Sequence, residues 1–229
     1  MSEKVLFVTG TDTDVGKTVI ATGLMAAAEK SGLKTAAIKP VAAGCEETED
    51  GLQNSDALLL QAAATEQLPY QQVNPVALQP AIAPHIAAQK VDKRFSVSRL
   101  VGFCRGVAML PVNLVIIEGA GGWRVPLNER ETLAGLPKEL NCGVIMVIGM
   151  RLGCLNHAIL TAEAIQRDGL QLVGWIANIL DPEMPELDAN IESLKRFLHA
   201  PCLGVVPKLD NPSAENVSQY LSLPDSNVG

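Results

Sequence analysis

The stretch Gly10-Thr11-Asp12-Thr13-Asp14-Val15-Gly16-Lys17-Thr18 holds residue types that bind a polyphosphate. Glycine ahead of a helix lets backbone N–H groups turn toward phosphate oxygens. The Lys17 ammonium supplies a point charge for the β and γ oxygens, and the Thr18 hydroxyl suits Mg²⁺. An apolar run, Val5–Thr9, precedes the stretch and a helix-like segment follows it, which is the strand–loop–helix context such a motif requires. The spacing is one residue longer than G-x-x-x-x-G-K-[ST]. A glycine-rich turn with a chance Lys-Thr pair fits that context less well, so the stretch reads as a phosphate loop.

Two carboxylates, Asp12 and Asp14, sit in the same loop. Both would repel a bare triphosphate, so they need a partner: a metal, a cationic substrate or solvent. Asp12 reads equally well as a solvated turn or a helix N-cap. Asp14 stands nearer the helix mouth and is the better contact for an amine.

These residues need strands to carry them. Continuous apolar runs predict strands at Val5–Thr9, Thr35–Ile38, Leu114–Glu118, Gly143–Ile148, Leu172–Asn178 and Cys202–Val206. Their lack of alternation suits strands covered on both faces. Helices are predicted at Thr18–Lys30, Ser55–Ala64, Val97–Met109, Asn156–Asp168 and Pro185–Leu198, with Gly32 and Gly169 placed as left-handed residues just past two of them. The alternation predicts an α/β fold with a mostly parallel, doubly wound sheet flanked by helices, in one domain spanning 1–229. Ligands of such sheets lie beyond the carboxyl ends of the strands. Polar residues do follow the predicted strands here: Lys39, Glu118 and Asn178.

Composition narrows the class. Of the 229 residues, 48% are hydrophobic and only 3% aromatic, so Ala, Val, Leu and Ile must build the core. A net charge of -7 argues against a nucleic-acid surface, while leaving phosphate binding by local N–H groups open. Five cysteines without a C-x-x-C pair predict reduced thiols. No apolar run approaches the roughly 20 residues that span a bilayer, and the chain leads from Met1 straight into a strand. A cytoplasmic protein without signal peptide is expected.

Several blocks together resemble the dethiobiotin synthetase family of P-loop NTPases. They are GTDTDVGKT at Gly10–Thr18, Lys39-Pro40-Val41, Asn54-Ser55-Asp56, and Glu118-Gly119-Ala120-Gly121-Gly122-Trp123. Gly153-Cys154-Leu155-Asn156-His157 and Trp175-Ile176-Ala177-Asn178 continue the series, which spans nearly the whole chain in the family's order. The resemblance implies an ATP-dependent cyclo-ligase. One amine of 7,8-diaminononanoate captures CO₂ as a carbamate, ATP phosphorylates it, and the second amine displaces phosphate to close the cyclic urea dethiobiotin.

Residue roles follow from the same resemblance. Lys17, Lys39 and Thr13 are the implied catalytic groups, with Lys39 facing the carbamate and γ-phosphate. Read alone, a strand-end lysine serves equally as a surface residue. Thr18, Asp56 and Glu118 form a hard oxygen set suited to Mg²⁺, although Asp56 also suits the first turn of a helix. An acid directly after Leu114–Ile117 is unexpected unless it borders a cleft. The implied ATP site takes in Asp14, Val15, Gly16, Lys17, Thr18 and Val19, with Asp56. It continues through Glu118, Gly119, Ala120 and Gly121, then Asn178 and Ile179, then Pro207, Lys208 and Leu209 with Glu215. Asn178 would read the adenine edge through its amide, or serve only a turn. The implied substrate site uses Thr13, Asp14, Lys39 and Ala43. Gly153, Cys154, Leu155 and Asn156 of a second subunit would receive the carboxyl tail at a helix N-terminus, making the site shared across a homodimer.

The chain departs from the family pattern in having Ala43 where a hydroxyl residue is usual and Asp14 for a commoner glutamate. Arg124 and the polar run Asn128–Glu131 are also unusual. Two other classes share this kind of fold. A nucleotide-switched partitioning ATPase would carry an extra lysine early in the loop, yet none lies between Lys4 and Lys17, and the end of the chain is not a basic amphipathic tail. An amidotransferase-type amide synthetase would need a cysteine-dependent glutaminase domain, for which the chain has no room.

Overall fold

The computed structural model describes residues 4–224. Residues 1–3 and 225–229, on which the expectations about the two ends rest, lie outside the described residues. In chain order the strands are β1 (Val5–Gly10), β2 (Thr35–Ile38), β3 (Ala42–Ala43), β4 (Glu46–Thr48) and β5 (Gly51–Gln53). Then come β6 (Ala77–Leu78), β7 (Leu114–Glu118), β8 (Gly143–Met150), β9 (Leu172–Ile179) and β10 (Cys202–Val206). The helices are α1 (Lys17–Lys30), α2 (Ser55–Ala63), α3 (Tyr70–Val73), α4 (Pro84–Lys90) and α5 (Val97–Ala108). They continue with α6 (Gly135–Leu140), α7 (Cys154–Arg167), α8 (Leu187–Phe197) and α9 (Ala214–Ser218).

Six strands form one sheet in the order β10-β9-β8-β1-β7-β2, and every pairing in it is parallel. The predicted strands are these six, because an unbroken aliphatic run is stable only where both faces are covered. All of β1 is buried, and so are the last seven residues of β8. Val144, Ile145 and Val147 join the larger core with Phe7 and Ile116. Met146, Ile148 and Met150 join a second cluster with Trp175, Ala158 of α7 and Leu194 of α8. Each such side chain taken fully from water contributes about 1.5–3 kcal/mol.

The order places β1 between β7 and β8, where the winding reverses, so a crevice opens beyond its carboxyl end. The loops leaving β1, β2 and β7 all reach that crevice.

Differences from the sequence reading are local. β8 and β9 run on to Met150 and Ile179. Helix α7 starts at Cys154 rather than Asn156, because Gly153 at φ 95° turns the chain into the helix earlier. Helix α8 covers Leu187–Phe197 rather than Pro185–Leu198, entered through Glu186 at φ 55°. Gly32 and Gly169 have φ of 77° and 78°, the left-handed stops expected of them. The short pairs β3–β6 and β4–β5 and helices α3, α4, α6 and α9 were not foreseen. They are too short to show a period. Among the described residues no helix is long and apolar enough to cross a membrane, and the five cysteines are unpaired thiols.

Candidate active site

Strand β1 delivers the phosphate loop to the crevice. The Thr11 N–H donates to the carbonyl of Val147 at 3.0 Å, tying the loop's first residue to β8. Asp14 and Gly16 take left-handed backbone, φ 57° and 88°. At Gly16 a side chain is excluded twice over: by that φ, and by Asn178, whose Nδ2 would lie 2.2 Å from an added Cβ. Asn178, the next-to-last residue of β9, donates from Nδ2 to the carbonyl of Val15 at 2.9 Å. The turn is thereby held beneath the mouth of α1, which begins with Lys17 and has no side-chain cap. Its first N–H groups are left for an anion.

Lys17 is 7% exposed and donates from Nζ to the Asp12 carbonyl at 3.0 Å. Burial lowers its pKa below the usual lysine value. The nearby Lys39 charge lowers it further, against the opposing pull of Glu118, Asp56 and Asp14.

The second cluster is assembled from four pieces of chain: Thr18 in α1, Lys39 after β2, Asp56 in α2 and Glu118 in β7. Glu118 ends β7 and is 1% exposed. Its Oε1 accepts from the Thr18 hydroxyl at 2.9 Å and from Nζ of Lys39, with which it forms a buried ion pair. The same Nζ donates to Asp56 Oδ2 at 3.0 Å. The backbone around Lys39 is fixed as well. Its N–H donates to the Val73 carbonyl at 2.7 Å, and its own carbonyl accepts from Asn74 Nδ2 at 2.7 Å. Asp56 occupies the first turn of α2, whose N-cap Asn54 accepts from the Ala57 N–H at 3.2 Å.

Burial alone would lower the Lys39 pKa, but the charges and hydrogen bonds of Glu118 and Asp56 outweigh it and raise the net value. For Asp56 burial pulls upward, and Lys39, Thr18 and Lys17 more than reverse it, leaving the carboxyl below its usual range.

The hard oxygens of this cluster fit a divalent cation. Glu118 Oε2 is buried without a hydrogen-bond partner, an arrangement that costs free energy unless another group engages it. Asp56, with 43% of its side chain exposed, and the Thr18 hydroxyl stand beside it. Among the described residues no group of three or more His, Cys, Asp or Glu could hold a metal. Two carboxylates and a hydroxyl suit Mg²⁺, which takes its remaining ligands from phosphate and water.

These groups face one cleft of about 830 Å³. Of the sequence-predicted residues, Thr13, Asp14, Gly16, Lys17, Thr18 and Val19 line it from the loop side. Lys39, Ala43, Asp56, Glu118, Ala120 and Gly121 line it from the others. Val15 is buried behind it. Gly119, Asn178, Ile179, Pro207, Lys208, Leu209 and Glu215 lie outside its walls, as does the turn Gly153–Asn156 at the mouth of α7. In that turn Cys154 is buried, while the preceding Leu152 is 96% exposed.

Three features of the site were not foreseen. Asp12 has a cationic partner, Arg151, at 2.5 Å. No local signal announces it, because the pair is 139 residues apart. Arg124 lines the cleft and forms a two-bonded pair with Asp168, 2.7 Å from Nη1 to Oδ2 and 3.0 Å from Nη2 to Oδ1. Asp168 Oδ2 also accepts from the Trp123 indole at 2.8 Å, and so fastens the loop after β7 to the end of α7. The third is an apolar lining from Ala81, Ile82 and Pro84, together with Val125 and Pro126.

A family model described as an AAA domain matches residues 4–216. The ATP-dependent dethiobiotin synthetase BioD of Cellvibrio japonicus is 59% identical over 223 residues, covering 97% of this chain and 97% of that protein. The protein of the same name from Marinobacter nauticus is 51% identical over 223 residues, covering 97% and 95%. Among solved structures, the MinC:MinD cell division complex of Aquifex aeolicus superimposes with a TM-score of 0.60 at 15% identity, covering 95% of this chain and 91% of that one. The septum site-determining protein MinD of Pyrococcus horikoshii, complexed with Mg-ADP, gives 0.57 at 15% identity, covering 94% and 86%. At that identity the likeness is one of fold alone.

Proposed function

The chain belongs to the ATP-dependent dethiobiotin synthetase family, and from that membership we propose how its cleft divides the work between nucleotide and substrate. The protein is an ATP-dependent cyclo-ligase of biotin biosynthesis that closes the urea ring of dethiobiotin. One amine of 7,8-diaminononanoate adds to CO₂, losing a proton to give a carbamate. A carbamate oxygen attacks the γ-phosphorus and ADP departs. The second amine then attacks the carbonyl carbon, phosphate leaves and the ring closes.

The observation that carries the residue assignment is the convergence of Lys17 and Lys39 on one cleft with Glu118, Asp56 and Thr18. A carbamate oxygen is a poor leaving group, while phosphate leaves readily from the carbamic–phosphoric anhydride, so the chain's task is to hold two anions together and neutralise charge. Lys17 leaves the Asp12 carbonyl for the β and γ oxygens of ATP, with the N–H groups at the mouth of α1. Lys39 stabilises the charge that develops between carbamate and γ-phosphate. Thr13 and Asp14 hold the diamine. Thr18, Asp56 and Glu118 hold Mg²⁺, which supplies charge neutralisation on the phosphates.

Asn178, Ile179, Pro207, Lys208, Leu209 and Glu215 form the nucleoside end of the site. Gly153–Asn156 of a second subunit receives the carboxyl tail, which makes the working unit a homodimer in the cytoplasm. The exposed Leu152 beside that turn supports an interface there. The partitioning ATPases share the fold, but no lysine stands in this loop ahead of Lys17.

The test is direct. Protein incubated with Mg-ATP, bicarbonate and diaminononanoate should yield the cyclic urea by mass, with ADP in equal amount. ATP hydrolysis indifferent to the diamine, with no cyclic product, would overturn the reading.

A further inference from the structure

We propose that Arg151 is a positioning and charge-balancing residue for the phosphate loop, acting through Asp12. The proposal rests on the reading that Gly10–Thr18 holds ATP. Arg151 directly follows β8, the strand that pairs with β1 on the side away from β7. Its Nη2 lies 2.5 Å from Asp12 Oδ2. Asp12 spends its other two acceptors on the loop: Oδ1 takes the Thr13 N–H at 2.8 Å, and the main-chain carbonyl takes Lys17 Nζ at 3.0 Å. Before nucleotide binds, one residue therefore links Arg151 to both Thr13 and Lys17, and the Thr13 link remains when Lys17 turns to ATP. The neighbouring Thr11 is itself tied to Val147 of β8. Strand β8 thus grips the loop at two points, one by backbone and one by charge.

The charge matters as much as the grip. Asp12 and Asp14 would leave the loop net negative against the single ammonium of Lys17, which is the wrong sign for a triphosphate. Arg151 cancels one of them. Both members of the pair have 46% of their side chains exposed, so the pair adds little to fold stability. A fixed charge within a Debye length of a triphosphate still changes its binding, by roughly three- to tenfold at low salt. Affinity and stability therefore come apart here, and a purely structural role would not separate them.

The experiment is a double-mutant cycle on the intact protein, with ATP affinity measured by equilibrium dialysis beside steady-state kinetics and thermal unfolding. Arg151→Met should weaken ATP binding by roughly three- to tenfold, with kcat and the unfolding midpoint nearly unchanged, and the deficit should shrink in about 1 M salt. Arg151→Lys should restore most of the affinity. Asp12→Asn alone should bind ATP within about twofold of the wild type, and adding Arg151→Met to it should cost no further affinity. Unchanged affinity in Arg151→Met would overturn the proposal, as would losses that simply add in the double variant. A wild-type protein with no saturable ATP binding would instead sink the phosphate-loop reading itself.

Discussion

The Asn178 side-chain amide supports the Val15 carbonyl from below at 2.9 Å. The end of β9 is thus wedged under the crown of a loop that starts more than 160 residues earlier. The contact explains why residue 16 has no side chain, since the space a Cβ would need is filled by that amide.

Gly16→Ala should therefore fail on two counts, left-handed φ and collision with Asn178. A cost of about 1–3 kcal/mol in folding stability is expected for a non-glycine residue forced into that backbone. ATP affinity should fall far more steeply. Denaturant unfolding alongside nucleotide binding would check both, and a variant that binds ATP normally would contradict the account.

Replacing Lys39 by Met removes the cation shared by Glu118 and Asp56. Turnover should fall by at least about 100-fold, the scale on which preorganised donors act on developing charge. Glu118 would be left buried and uncompensated, so the midpoint of unfolding should drop as well. Single-turnover measurement of ADP release with saturating diamine is the decisive readout, and near wild-type turnover would rule out the role given to this lysine.

The pH profile should separate the two ammonium groups. Burial, helped by Lys39, lowers the Lys17 pKa, so Lys17 loses its charge below the free-lysine value of 10.5, whereas Lys39 keeps its charge above it. The alkaline fall in kcat/KM for ATP should belong to Lys17, and Lys17→Arg should flatten it even if overall activity is reduced. For stability the signs differ. The lowered Asp56 pKa gives a contribution present above the unfolded value of 3.8 and lost as pH falls through the folded one. The raised Lys39 pKa gives one present below 10.5 and lost as pH rises through its folded value.

Ala43 lines the cleft, and the family resemblance implies a hydroxyl residue at that position. Ala43→Ser should tighten diamine binding by about 0.5–1.5 kcal/mol, the net value of one hydrogen bond, which is roughly two- to tenfold in KM. ATP affinity should stay constant. A KM for the diamine that rises or does not move would show that the hydroxyl has no partner here.

Asp168→Ala would release both Trp123 and Arg124. Loss of hydrogen bonds to a charged acceptor should cost about 1–3 kcal/mol. Because Trp123 packs edge-on against Phe7 at 6.0 Å between ring centres, freeing it should shift tryptophan emission. Trp175, fully buried with its indole on the Ala200 carbonyl, serves as the invariant reference.

The parts of this molecule that sequence reveals are those governed by local rules. Strands β1, β2, β7, β8, β9 and β10 were legible because two-sided burial demands unbroken aliphatic runs. Lys17 and Thr18 stood out by their spacing, and Glu118 as an acid at the end of such a run, and the structure brings all three to one cleft. What stayed hidden was decided by pairing across the chain. The partner of Asp12 depends on β8 lying beside β1, and the partners of Trp123 and Arg124 on where α7 ends. Strand β3, two alanines paired with Ala77 and Leu78, has no pattern of its own and exists only because its partner does.

The placement of β1 between β7 and β8 has a consequence for biosynthesis of the molecule. During synthesis β1 gains its two neighbours only when residues up to about Met150 have emerged. Closing those long crossovers costs chain entropy before any contact repays it. Glu118 arrives with the first of them and the grip of Arg151 with the second, so a nascent chain shorter than this has a phosphate loop without walls. Protection by nucleotide against proteolysis should therefore appear only late in chain length, once Asn178 of β9 and the segment 207–215 have followed β8.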